Sequence, residues 1–107
     1  MFKVEFALLS PDPFNTAKIS YAIESVEKEL KDICNPIKVG ATIMCSPSKD
    51  SLIIVYTAFN EVKQLNVYVR VESLDAQTLV QIVDKINKKI RQEGYVMTLS
   101  RTFSSSI

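Results

Sequence analysis

Apolar residues recur at every second position in several stretches of the chain and at every third or fourth position in two others. Phe2, Val4, Phe6 and Leu8 alternate with Lys3, Glu5, Ala7 and Leu9, the period of a strand packed on one face. Ser10-Pro11-Asp12-Pro13 interrupts that pattern, and Asp12 before Pro13 predicts a helix start, a capping carboxylate followed by a residue with no N–H to satisfy. Ile19, Ile23, Val26, Leu30 and Ile33 then form one apolar stripe on a helix running to about residue 34, with Glu24–Lys28 and Glu27–Lys31 spaced for ion pairing on its solvated side. Asn35-Pro36 ends it. Ile37, Val39, Ala41, Ile43 and Cys45 alternate with more polar neighbours as a second strand, closed by the turn residues Ser46-Pro47-Ser48-Lys49-Asp50.

Leu52 to Phe59 is apolar at both parities, so it predicts a strand in mid-sheet with something covering each side. Leu65, Val67, Val69 and Val71 alternate with Asn66, Tyr68, Arg70 and Glu72, a fourth strand reached through the short polar link 60–64. Ser73 or Asp75 caps a second helix whose stripe is Leu79, Ile82, Val83, Ile86 and Ile90, with Lys88, Lys89 and Arg91 at its end and Gly94 as the stop. Tyr95, Met97, Leu99 and Phe103 mark a fifth strand, and residues 104–107 read as a loose tail.

The expected architecture is α+β in the order β-α-β-β-β-α-β: one domain over 1–107, with one mixed five-stranded sheet and both helices packed on one face. Right-handed crossovers in the two strand-helix-strand units place the helices together. The other face is then uncovered. Strand four sends Asn66, Tyr68, Arg70 and Glu72 there, beside Thr42 and Met44. From the central strand it receives either Ile53, Val55 and Phe59 or Leu52, Ile54, Tyr56 and Ala58. A strip mixing Tyr, Met, Arg and aliphatics is the composition enriched at protein interfaces. Thr42, Met44, Tyr56, Tyr68 and Arg70 are therefore the candidate interface residues, for a homo-oligomer or a partner protein.

Composition narrows the chemistry. Thirteen Lys and Arg nearly cancel twelve Asp and Glu, for a net charge of +1, so nothing points to a nucleic-acid footprint. The chain has no histidine, which removes the commonest general base and metal ligand; this weighs against an enzyme without deciding the matter. Two glycines, Gly40 and Gly94, cannot build a phosphate-cradling loop. Cys34 and Cys45 read as core-filling thiols rather than a disulfide framework, and with no leader pattern they suggest the cytoplasm. No apolar run approaches the roughly 20 residues of a membrane span. No cofactor is expected.

From Gln64 onward, the valine-rich strand Val67–Val71, the acidic turn Ser73–Asp75, the helix with regular aliphatics Leu79–Ile90 and the step Gly94-Tyr95 together resemble the second half of tail-terminator (tail-completion) proteins of long-tailed bacteriophages. The resemblance covers about the last third of the chain. It implies a non-enzymatic structural protein that assembles into a ring in the virion through a heterologous interface, with residues 3 to 8 and 96 to 103 as sheet edges. The alternative is a small dimeric ligand-binding or regulatory module whose cleft would use Tyr56, Tyr68 and Arg70 as polar handles.

Overall fold

Val67, Val69 and Val71 are buried and their alternate neighbours are not, so the fourth predicted strand packs one face on the core as its pattern requires. The computed structural model describes residues 1–9 and 19–104; the helix start expected at Asp12-Pro13 and residues 105–107 of the expected tail lie outside the described residues, while Ser104, also expected in that tail, pairs with Phe2 in the last strand. The elements are β1 (Phe2–Leu9), α1 (Ile19–Leu30), β2 (Ile37–Val39), β3 (Thr42–Cys45), β4 (Ser51–Phe59), β5 (Leu65–Ser73), α2 (Ala76–Gln92) and β6 (Val96–Ser104). The strands form one six-stranded sheet ordered β2-β3-β4-β5-β1-β6, antiparallel at every pairing.

Two expectations about the sheet are corrected. The alternating run 37–45 is not one strand, because Gly40 adopts φ 62 and opens a two-residue turn with Ala41, a conformation glycine enters without steric cost. The chain reverses there, setting Ile37 opposite Met44 and Val39 opposite Thr42. The sheet gains a strand, and Ile37 and Val39 move to the face opposite Ile43 and Cys45. The second correction concerns β1, expected at an edge of a mixed sheet. β1 lies between β5 and β6, paired from Phe2↔Ser73 to Leu8↔Val67 on one side and from Phe2↔Ser104 to Leu9↔Val96 on the other. The crossover through α2 skips one strand position and β1 fills it, so β5 and β6 run the same way but never touch. The edges are β2 and β6.

Both helices pack on one face. Ala22, Ile23, Val26 and Leu30 of α1 and Ile82, Ile86 and Ile90 of α2 meet Ile43, Ile53, Val55, Val67, Val69 and Val71 in a single core, each large side chain contributing about 2 kcal/mol of burial. Asp75 caps α2 by accepting from the Thr78 backbone N–H at 3.1 Å, and Gly94, at φ 88, follows the C-cap Glu93. α1 ends at Leu30 and continues as a turn to Cys34, short of the expected helical end. Lys89 clamps the two helices, reaching Asp32 at 3.1 Å and Glu29 at 4.0 Å.

Cys34 and Cys45, expected as separate thiols, are joined in a disulfide with Cα atoms 5.8 Å apart, within the usual span for such a bond. The Gly40 turn is the reason. A nine-residue extended strand would carry Cys45 about 30 Å along the sheet, whereas the hairpin brings it back beside the end of α1.

Candidate functional site

The face opposite the helices is built by register. One row across it runs Ile37, Met44, Ile54, Arg70 and Glu5, each opposite the next on the neighbouring strand. A second joins Tyr56, Tyr68, Ala7 and Thr98, and a third Leu52, Glu72 and Lys3. The two parities left open for the central strand thus resolve: Leu52, Ile54, Tyr56 and Ala58 face outward, while Ile53 and Val55 are in the core. The face divides into an apolar end on β2 to β4 and a charged end on β5 and β1.

All five candidate residues lie on this face, but in two groups. Thr42 and Met44 belong to the apolar end, where Ile37 is 66%, Val39 69% and Met44 41% exposed. Tyr56, Tyr68 and Arg70 belong to a cluster at the centre, organised by a residue the sequence did not single out. Glu5 is only 4% exposed. Its Oε2 accepts from Arg70 Nη2 at 3.1 Å, from Arg70 Nε at 3.3 Å and from the Tyr56 hydroxyl at 2.5 Å. The Tyr56 ring stacks on Tyr68 with centroids 5.5 Å apart and planes 25° from parallel. Removal from water, reinforced by the hydrogen bond to Glu5, raises the Tyr56 hydroxyl from 10.0 to about 12, with Arg70 opposing. A phenol held this way donates to a carboxylate and does not act as a base near neutrality. The cluster is a satisfied polar lock. Among the described residues no buried side-chain nitrogen or oxygen lacks a partner.

Glu5 was hidden because β1 reads as simple alternation. Its partners are 65 and 51 residues away, and only the register brings them together. A further feature was missed at the end of the β4–β5 hairpin. β3 pairs with β4 only as far as Val55, and β1 with β5 only as far as Val67, so the hairpin end extends beyond both neighbours. Phe59 is 71% and Val62 70% exposed there. Asn60 stiffens the loop, its Oδ1 accepting from the backbone N–H of Val62 at 3.0 Å and of Gln64 at 2.9 Å. The signal was Asn60 itself, an Asx-turn residue between two apolar strands.

Among the described residues no group of His, Cys, Asp or Glu is arranged to hold a metal, and no helix is long and apolar enough to cross a membrane. No family model, curated protein or solved structure matches the chain.

Proposed function

We propose that this is a non-enzymatic interaction protein that binds protein through the sheet face opposite its helices, with a second copy of the chain as the first partner to test. The observation that carries this reading is the exposed apolar end of that face, Ile37, Val39 and Met44 on the edge strand and its neighbour, a composition that protein contacts bury. The hairpin end with Phe59 and Val62 is a second, separate apolar surface, as head-to-tail assembly requires. Direct edge-to-edge pairing of β2 is disfavoured, because a two-fold centred on Lys38 would place that lysine opposite its own copy. The resemblance of the last third to tail-terminator proteins gives the reading one specific form, a ring. A ligand-binding module would use Tyr56, Tyr68 and Arg70, yet the hydroxyl of Tyr56 and the guanidinium of Arg70 are engaged with Glu5, which favours the protein-binding reading.

Light scattering over a concentration series tests it. The wild-type chain is expected to exceed the monomer mass, and Val39→Glu or Tyr68→Asp to reduce that mass while the thermal transition stays cooperative. A strict monomer at all concentrations removes self-association, and an unchanged oligomer in both variants removes this face.

A further inference from the structure

The segment enclosed by Cys34 and Cys45 is firmly held at its ends and weakly held between them. At one end, the backbone N–H of Cys34 donates to Leu30 at 2.9 Å, making Cys34 continuous with α1, whose C-terminal turn Lys89 pins through Asp32. At the other, Cys45 is 2% exposed and β3 is paired along β4 from Ile43↔Val55 to Cys45↔Ile53. Between them β2 is three residues long and exposed throughout. Among the described residues it pairs on one side only, with β3. The ion pair of Lys38 with Glu27 spans 4.0 Å on the surface, a contact worth little on its own.

We propose that Cys34–Cys45 is a thiol–disulfide exchange site that latches this edge of the sheet. Cys34 is partly exposed whereas Cys45 is buried, so a thiolate of a small dithiol reductant attacks Cys34 Sγ. The Cys34–Cys45 bond breaks, the electron pair leaves with Cys45 Sγ, which takes up a proton, and a mixed disulfide forms at Cys34. The reductant's second thiolate closes on its own sulfur and releases Cys34 as a thiol, so the net change is one protein disulfide reduced to two thiols and one dithiol oxidised to a cyclic disulfide. With the bond open, α1 and β3 keep their packing. β2 keeps its short ladder to β3 and the weak surface pair of Lys38 with Glu27, so it opens more often and then leaves the backbone N–H and C=O groups along the outer side of β3 unpaired, an edge open to strand addition. The latch does not depend on what binds the open face.

Lys38 lies inside the latched segment and serves as the reporter. The full chain is oxidised in a glutathione buffer, one portion is reduced with dithiothreitol, and both are exposed briefly to trypsin under native conditions. All samples are fully reduced after quenching, since a cut at Lys38 inside the bonded loop leaves the fragments joined. Cleavage after Lys38 is expected to be about ten-fold or more faster in the reduced chain, with Arg70 still protected and the near-ultraviolet tyrosine dichroism unchanged. Equal cleavage in the two states overturns the proposal. So does loss of protection at Arg70 together with Lys38, which would make the bond a brace for the whole fold, and so does failure of the cysteines to pair in the oxidising buffer. A folded Cys34→Ser, Cys45→Ser double variant is expected to be cut like the reduced chain without reductant, and resistance at Lys38 would count against the latch. The wild-type comparison decides whether or not that variant folds.

Discussion

Glu5 shows how a single position can be correctly placed by its pattern and still be misread. Alternation puts it on the outward face, where a charged residue needs no explanation, but that face buries it under Arg70 and Tyr56. A buried ion pair contributes modestly as a pair and costs heavily when one partner goes. Arg70→Leu should therefore lower stability by about 3 kcal/mol in urea denaturation, and the double variant Glu5→Leu, Arg70→Leu should recover much of that loss. A loss below about 1 kcal/mol for the single change would show that solvent reaches Glu5 freely. Tyr56 gives an independent reading. Its hydroxyl is raised in the fold from 10.0 to about 12, so the protonated form favours the folded state. That contribution is complete below about pH 10 and is lost as pH rises through about 12. Ultraviolet absorbance titration should show a tyrosine component ionising near about 12, and Tyr56→Phe should remove it. A titration curve that Tyr56→Phe leaves unchanged at that pH would contradict the buried contact with Glu5.

At the scale of elements, the strands with one buried parity were legible, because burial and period agree: Val67, Val69 and Val71 on β5, Ile82, Ile86 and Ile90 on α2. Tyr68 and Arg70 were assigned to the right face for the same reason. β2 and β3 were not separable by period, since a two-residue turn keeps the count of alternating positions while inverting their sense. The cue lay in Gly40 alone. Its added Cβ would meet nothing within 4 Å, so the cost of replacing it is confined to the backbone at φ 62. Gly40→Ala should cost about 1 kcal/mol, and Gly40→Asn less, because asparagine tolerates that region better. Thermal denaturation of the two variants side by side measures the difference, and equal losses would mean that the turn does not require the left-handed conformation. The same turn explains the cysteines. Cys34 and Cys45 could be paired only by a chain that doubles back between them, and with the bond in place they no longer argue for a reducing compartment.

For the whole molecule, the Cys34–Cys45 bond closes a loop with a sequence separation of 11, and loop-closure entropy assigns such a link about 3 kcal/mol. Because the reduced chain keeps its packing outside β2, denaturation with and without reductant should differ by less than that amount, and the full difference would make the bond a brace for the whole fold. Strand order was beyond reach of the sequence. Periodicity reports which face of a strand is buried and is silent on which strand lies beside it, and the neighbours of β1 come from residues 65–73 and 96–104. That insertion has a consequence for how the protein is made. On the ribosome β1 emerges before either of its neighbours, so its hydrogen-bonding groups wait until β5 and then β6 have been synthesised. With β5 in place the strands β2-β3-β4-β5-β1 can pair, but the outer side of β1 stays open until β6 is made. The contacts that complete the sheet join the first residues to the last, the arrangement that makes folding slow relative to locally connected chains and leaves partly synthesised forms with open strand edges.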